Sequence, residues 1–556
     1  MTSSEKRRSL LEFLRTQCVL LIYDNLETLT KEGQEAIADF LRELPQGSKA
    51  IITSRRRGGE GAVWLRVGEL DWGAAHGIIE NEVLRDAGLA NKLRKVERRW
   101  KELYDETRGS PLALVHILGL LRVRAALTFD GALAMLRGTH RKDNLVKFVY
   151  QEAHKELSSD DKNALCAVSI FATSATFEAW MNVADLSRSA LETSIDRLSA
   201  LSLIDVLEGV ENYSIHPLTR TFVREDLLID SKLVNTLENA YLTYWVNYVT
   251  KYSNSKKFDS YYLVEVEWNN IKLAIELLWR KIGLRRGKIK NEDFVRMFLA
   301  TNEMLQDVLL LHGHWDERTF INKKAYSISL AADNMDVAGL NAYHVAWVNG
   351  VYGRNLPSKA KSWVDKCVKL WSKSDNDSNV AEAKRLRGLT AMQNGRLKDA
   401  ERFLKDSLNI FREIEEEYSV MNVFNDLGRL SLSQERLSLA KRYFQSALDI
   451  SYEVKSEEGQ AFSKANLGDV AIKQQDIAEA QKIYKQALPL AQKVGRVDLI
   501  ARIKCGLALV WEIKGRENKA LPLAKDGLEL YERLQHPNLR EARSFVKRLM
   551  KKIESG

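Results

Sequence analysis

The chain has few of the residues that cross-link small secreted proteins or interrupt helices. Its 556 residues include 4 cysteines and 7 prolines. The cysteines (Cys18, Cys166, Cys367 and Cys505) lie far apart and form no CxxC pair, which argues against a disulfide framework and favours a reducing cytosol. The scarcity of proline favours long helices. We therefore expect a cytoplasmic, mainly α-helical protein.

Long apolar runs and charge of one sign are also missing. No run approaches the roughly 20 residues of a membrane helix, and the first apolar run is too short for the core of a signal peptide. The 84 basic and 75 acidic residues give a net charge of +9, which indicates a mixed surface rather than a nucleic-acid-binding block. We expect neither a membrane nor a nucleic acid as a direct partner.

The apolar run at 19–23 leads directly into Asp24 and Asn25. Such a run predicts a strand buried on both faces of a parallel sheet, with a carboxylate at the ligand crevice. A helix-like stretch at 33–42 and a second strand ending at Arg55 complete a βαβ pattern. An acid and a guanidinium at neighbouring strand ends suit metal and phosphate chemistry. A buried strand followed by a polar turn is the alternative interpretation of the first segment.

Two further motifs follow, GSPLAL at 109–114 and YSIHPL at 213–218. In this order the four motifs resemble the STAND class of signalling NTPases, the NB-ARC-type switches of plant resistance proteins, apoptotic ATPases and bacterial regulators. The resemblance implies a site for ADP or ATP with Mg²⁺. Its residues would be Asp24 as the Walker B acid near Mg²⁺, Asn25 beside it, Arg55 at the sensor strand, Pro111 and His216.

The phosphate loop of that family is missing. No GxxxxGK[ST] string occurs in the sequence, so the backbone amides and lysine that cradle nucleotide phosphates are absent from it. We therefore expect the chain to begin inside the nucleotide domain, and to act as an ATPase only if a P-loop is supplied elsewhere. Pro111 and His216 each keep a structural alternative, as the first-turn proline of one helix and the residue that starts another before Pro217.

The second half carries a repeat. Alanine recurs every 40 residues over five units. In the last four units a glycine or alanine lies twelve residues before this alanine. A residue that is large in three of these four units lies four residues after it. This pattern resembles tetratricopeptide repeats, in which small residues let the two helices of a hairpin pack closely. The recurring alanines are Ala360, Ala400, Ala440, Ala480 and Ala520. The array is predicted to bind a protein partner on its concave face, through inner positions that include Arg385, Asn422, Asn425 and Arg429.

These observations predict a mainly α chain with five parts. They are a partial α/β P-loop NTPase fragment at 1–68, a helical domain with a GLPL-like motif at 69–142, a winged helix at 143–232, a helical connector at 233–295 and an α-solenoid of tetratricopeptide repeats at 296–556. The predicted function is a signal-transduction regulator with an incomplete ADP/ATP switch. A plain adaptor without nucleotide binding and an ATPase completed by an upstream P-loop segment are the alternatives, and self-association stays open.

Overall fold

The computed structural model describes residues 10–11, 14, 18–23, 26, 29–45, 47–54, 63, 65, 67–138, 142–207, 211–253, 260–285, 287–350, 353, 356–534 and 536–555. The chain forms two compact units, Met1–Val146 and Lys147–Gly556, and each has its own core. Within these described ranges, no helix combines the length and the apolar character needed to span a bilayer.

The first unit begins with a βαβ element. Its members are β1 (Leu20–Tyr23), α1 (Lys31–Arg42) and β2 (Lys49–Ile52), and the two strands pair in parallel. This confirms the predicted topology. The expectation that the first strand is buried on both faces is wrong, because Leu20 is 54% exposed and Ile22 is 67% exposed. A two-stranded sheet has too little width to be enclosed, and α1 is the one described helix between its strands.

Helices make up the rest of the first unit. They are α2 (Trp72–Arg85), α3 (Ala87–Leu93), a 3₁₀ segment (Arg94–Arg99), α4 (Trp100–Thr107), α5 (Pro111–Val123) and α6 (Phe129–Arg137). Side-chain oxygens of Asp71, Asp86, Ser110 and Thr128 cap four of these helices. The inward faces are aliphatic, with Ile79, Leu103 and Ile117 fully buried. The chain turns at Gly109 between α4 and α5, and Pro111 is the first residue of α5.

The second unit starts with short helices and a small sheet. The elements are α7 (Lys142–Lys155, which begins in the first unit), α8 (Ser159–Val168), β3 (Ala175–Thr176), α9 (Phe177–Ala184), α10 (Arg188–Ala200), β4 (Asp205–Leu207), β5 (Asn212–Ser214) and α11 (Pro217–Phe222). Ser158 and Asp161 form a capping box at the start of α8. The three strands are antiparallel in the order β3-β5-β4, and β4 and β5 form a hairpin.

An aromatic connector follows, formed by α12 (Ser231–Ser253), α13 (Tyr261–Val266) and α14 (Trp268–Ile282). The aromatic stripe of α12 is core, as its helical spacing predicts, with Tyr241 fully buried and Trp245 nearly so. The Tyr241 hydroxyl donates to the Asn270 carbonyl oxygen at 2.9 Å, and the Asn270 amide donates to the Ser174 carbonyl oxygen at 3.0 Å. These bonds tie the connector to the small sheet's entry loop.

The rest of the chain is an array of helical hairpins. Its helices are α15 (Glu292–Leu311), α16 (Trp315–Ala331), α17 (Met335–Asn349), α18 (Pro357–Trp371), α19 (Asp377–Gln393), α20 (Leu397–Glu413), α21 (Glu417–Ser433), α22 (Leu437–Glu453), α23 (Glu457–Lys473), α24 (Ile477–Val494), α25 (Val497–Ile513), α26 (Glu517–Leu534) and α27 (Leu539–Ser555). Each helix packs on the next, and from α17 to α25 the first helices of successive hairpins also contact each other. Those first helices form the inner layer of the array.

The turns between these helices repeat as regularly as the helices do. From α19 to α26 one residue in each turn has a positive φ, and these residues are 20 positions apart: Gly395, Glu415, Glu435, Lys455, Gln475, Gly495 and Gly515. At each turn the following N–H bonds back to the carbonyl five residues earlier, as from Asp476 to Ala471 at 2.9 Å. This is a Schellman motif, which satisfies the last carbonyls of each helix and reverses the chain at a constant angle.

Close approach within each hairpin depends on the predicted small residues. A Cβ atom built on Gly428 would lie 2.4 Å from the Phe444 ring, and one on Gly468 would lie 2.6 Å from the Tyr484 ring. Phe444 is fully buried and Tyr484 nearly so. The large residue of one helix therefore occupies the space that the small residue of its partner leaves.

Candidate ligand groove of the repeat array

The inner layer of the array lines a groove that is open to solvent, with a cavity of about 430 Å³. Three first helices and the end of α26 contribute its wall, which mixes charged, aromatic and apolar side chains. The lining residues are Arg429, Leu432, Ser433 and Glu435 from α21 and its turn, Phe462, Asp469 and Lys473 from α23, Asp498, Leu499 and Arg502 from α25, and Tyr531, His536 and Asn538. Such a wall can contact backbone amides as well as charged and apolar side chains.

An ion pair fixes one side of this cavity. Arg502 pairs with Asp469 and donates a second bond to the Asn466 amide oxygen at 2.7 Å, and the Tyr484 hydroxyl donates to Asp469. Burial opposes the charge on Arg502, but the carboxylate of Asp469 raises the guanidinium pKa above its ordinary value. The arrangement holds a guanidinium in place at the groove surface, with its geometry set by residues of two helices.

An aromatic pair forms another side. The rings of Tyr531 and His536 stack with centroids 4.6 Å apart and an interplanar angle of 22°. The His536 Nδ1 atom accepts a bond from the Asn538 backbone N–H at 3.2 Å. Burial lowers the pKa of His536 to about 4, and the positive charges of Arg502 and Arg429 act in the same direction. His536 is therefore a neutral, flat surface at neutral pH.

The end of the array contacts its beginning, and we call this contact the seam. Leu534 is 2% exposed and packs with Trp315 and Val348. Arg533 donates to the His312 carbonyl oxygen at 3.1 Å and pairs with Glu265 at 3.1 Å. Residues that lie more than 200 positions apart in the sequence therefore touch. These contacts join the last complete hairpin of the array to its first hairpin.

The four residues predicted for partner binding have different surroundings. Arg385 is 8% exposed and pairs with Asp426 at 2.6 Å, and Asn425 is 2% exposed and bonds to Ser463 and Asn466. The expectation that these two side chains line the groove is wrong, because they join neighbouring first helices instead. Arg429 lines the cavity and Asn422 is half-buried on the same helix. A partner-binding role stays a prediction.

The repeat register is the signal that finds several of the lining residues that the sequence analysis missed. Adding 40 to Asn422 gives Phe462, and adding 40 again gives Arg502. Adding 40 to Arg429 gives Asp469. Positions related by the repeat present the same side of successive first helices, so one inner position predicts the others. Tyr531 and His536 have no such signal, because they come from the end of the last complete hairpin.

The residues predicted to contact nucleotide are described only in part. Asp24, Asn25 and Arg55 lie outside the described residues. Pro111 is the first residue of α5, whose N-cap is Ser110. His216 is the N-cap of α11, and its Nδ1 atom accepts the Leu218 backbone N–H at 3.2 Å. The structural alternatives for both residues are therefore confirmed, and a nucleotide contact stays a prediction. In the described part of the chain, no group of three or more metal-ligating side chains is placed to hold a metal ion.

Comparison with known proteins defines the class of the array. Residues 359–453 and 460–533 match the family model of the tetratricopeptide repeat, so the C-terminal half carries tetratricopeptide repeats. No curated protein sequence matches the chain.

Solved structures with similar folds include proteins of several kinds. A Signal Transduction ATPase with Numerous Domains (STAND) protein with a tetratricopeptide repeat sensor, from Pyrococcus horikoshii, is 16% identical, with a TM-score of 0.43 over 99% of this chain and 80% of that one. A Rap protein complexed with competence and sporulation factor is 12% identical, with a TM-score of 0.36 over 56% of this chain and 98% of that one. BtubC from P. vanneervenii is 18% identical, with a TM-score of 0.32 over 40% of this chain and 94% of that one.

Proposed function

We propose that this chain is a STAND-type signal-transduction regulator whose repeats bind a peptide segment of a protein partner in the inner groove. The observation that carries the proposal is the cavity of about 430 Å³ between α21, α23, α25 and the end of α26. Its wall offers the held guanidinium of Arg502 and the stacked rings of Tyr531 and His536. Tetratricopeptide arrays act through such inner surfaces and need no catalytic groups.

The seam favours an extended partner. Leu534 and Arg533 hold the last complete hairpin against the first hairpin. The two ends of the array are therefore in contact, whereas in an open array they would be separated and would leave wider access to the groove. A folded domain would have to separate these contacts over a wide surface, whereas a single extended strand fits the width of a small cavity. We therefore propose an unfolded segment or a chain terminus as the bound part of the partner.

Peptide display tests this proposal. Random twelve-residue peptides are first selected for binding to the full chain. The selected peptides should bind the double variant Arg429→Glu/Lys473→Glu at least about tenfold more weakly than the unchanged chain, because both cations line the cavity. The matched control is Lys441→Glu/Arg442→Glu, which makes the same charge change at exposed positions of the outer helix α22. Equal loss in both variants, or no selected peptide at all, would rule out the groove as the binding site.

We further propose that the N-terminal part is an incomplete ADP/ATP switch. The motif order supports this assignment, with Asp24 and Asn25 at the Mg²⁺ position and Arg55, Pro111 and His216 around the nucleotide. The segment at 143–232 would be a winged helix that couples the switch to the repeats. Its support is the order of three helices (α8, α9 and α10) and an antiparallel three-stranded sheet.

A plain adaptor is the second candidate, and one observation favours it. The Nδ1 atom of His216 is already used to cap α11, and Pro111 occupies the helix position where proline is expected without any ligand. Both residues are therefore accounted for by local structure. In this case the first unit would have a structural role and the chain would act through its repeats alone.

Calorimetry separates the two candidates. Without a P-loop, residual contacts of an incomplete switch should give a Kd for Mg-ADP near 1 mM, about −4 kcal/mol. A micromolar Kd that is lost in both Asp24→Ala and His216→Ala would establish a working nucleotide site and exclude the plain adaptor. Complete absence of binding at millimolar ligand would instead exclude the switch. Arg442→Ala serves as the matched control, because it lies in the repeats on an exposed surface.

A further inference from the structure

Three arginines of the described chain are nearly inaccessible to solvent: Arg318 is 4% exposed, Arg385 8% and Arg496 6%. Two of them have carboxylate partners. Arg385 pairs with Asp426 and Glu382, and Arg496 pairs with Asp498 at 2.7 Å and with Glu458. Buried charges in folded proteins are paired in this way because removing a charge from water is costly. Arg318 departs from the pattern of the other two.

The contacts of Arg318 are all with neutral groups. Its Nε–H donates to the Gln306 amide oxygen at 3.0 Å, and an Nη2–H donates to the His344 Nδ1 atom at 2.9 Å. Its Nη1 atom is buried and has no hydrogen-bond partner. Burial lowers the pKa of Arg318 to about 10 and holds the pKa of His344 well below its ordinary value. No carboxylate of the described residues forms an ion pair with this guanidinium.

Arg318 lies beside the seam. Its Cζ atom is 5.6 Å from the centre of the Trp347 ring, and the Cζ atom of Arg496 is 5.8 Å from the same ring. Trp347 in turn packs on the apolar cluster that contains Leu534 and Trp315. One tryptophan where the two ends of the array meet therefore contacts two guanidinium groups, and one of them, Arg318, forms no ion pair with a carboxylate of the described residues.

We propose that Arg318 is an anchor for a carboxylate of the peptide that the groove binds, reached when the seam opens. This inference rests on the proposed peptide-binding function and names the chemical group recognised. With Nε and Nη2 already engaged, the remaining Nη1 donors suit a single carboxylate oxygen. A phosphate dianion fits less well, because the other contacts of Arg318 are neutral and the exposed Asp307 lies near enough to act on its charge.

Two pools of random eight-residue peptides test the anchor, one with free C-terminal carboxylates and one with C-terminal amides. The immobilised full chain is compared with Arg318→Gln and with Arg442→Gln, an exposed arginine of α22 that serves as the control. Captured peptides are identified and quantified by mass spectrometry. The intact chain and the control should retain carboxylate-bearing peptides at least about tenfold better than Arg318→Gln. Loss of capture with the amide pool identifies the chain terminus as the source of the carboxylate, and retained capture enriched in aspartate or glutamate identifies a side chain.

The outcomes distinguish this inference from the proposed function. If Arg318→Gln captures the same peptides to within about twofold, the groove binds peptides but Arg318 is not the anchor. If the intact chain captures nothing, both proposals fail. Circular dichroism checks that Arg318→Gln folds, and Arg318→Lys is the second variant, which should keep the preference for carboxylates with weaker capture. Leu534→Ala, which loosens the seam, should speed association, and an unchanged rate would overturn the seam as the entry route.

Discussion

Replacing Gly428 with alanine should destabilise the α21–α22 hairpin, and the reason lies in one contact. The new Cβ atom would lie 2.4 Å from Cε1 and 2.6 Å from Cδ1 of Phe444, whereas carbon atoms normally rest about 3.5–4.0 Å apart. The ring is fully buried, so it can move aside only by displacing its neighbours. Overpacking of this kind costs about 1–3 kcal/mol. The higher helix propensity of alanine offsets about 1 kcal/mol of this cost, which leaves a net loss of up to about 2 kcal/mol.

The array itself contains a compensated version of this contact. In the α25–α26 hairpin the equivalent positions are Ala508 and Ala524, both buried. Truncating Phe444 to alanine should cost about 3–5 kcal/mol, but it also removes the ring that opposes a side chain at position 428. In the Phe444→Ala background, Gly428→Ala should therefore stabilise the hairpin by up to about 1 kcal/mol. The effect of Gly428→Ala on stability should therefore change sign when the Phe444 ring is removed.

Hydrogen exchange followed by mass spectrometry is the suitable assay, because neighbouring repeats in an array need not unfold together. Peptides from α21 and α22 report the local free energy of opening in the intact chain for the two single variants and the double variant. The coupling energy should exceed about 1 kcal/mol. Additive effects to within about 0.5 kcal/mol, or stabilisation by Gly428→Ala in both backgrounds, would refute the steric argument.

Two further outcomes follow from other parts of the array. Gln475 has a φ of 61°, a backbone conformation that costs a residue with a Cβ atom about 1–2 kcal/mol. Gln475→Gly should therefore raise the local free energy of opening by about 0.5–1 kcal/mol, whereas the control Gln475→Ala should leave it unchanged. His536 has a pKa lowered by burial from 6.5 to about 4, so the unfolded chain binds a proton first as the pH falls. The contribution of neutral His536 to stability is fully present above about pH 6.5, and the free energy of unfolding should fall by about 1.4 kcal/mol per pH unit toward pH 4. Urea titrations should show a smaller fall in His536→Gln.

Local packing could be predicted from the sequence because the repeat makes it periodic. The spacing of Gly428 and Phe444 is the spacing of Gly468 and Tyr484, and both pairs meet in the structure. Glycine marks some of the turns in the sequence, as at Gly395. The same left-handed turn at Gln475 carries no glycine and was not predicted, because its conformation is imposed by the two helices that it joins.

The seam and the groove residues near it required the three-dimensional structure. Whether Leu534 meets Trp315 depends on the small rotation from each hairpin to the next, summed over the whole array, and no local pattern encodes that sum. The unusual state of Arg318 has the same origin. Its sequence position is that of an ordinary arginine on an amphipathic helix, and its burial against Gln306 and His344 arises only when α15, α16 and α17 pack together. A buried guanidinium that forms no ion pair is a property of that packing, and Arg318 is therefore recognised as a candidate site only in the folded array.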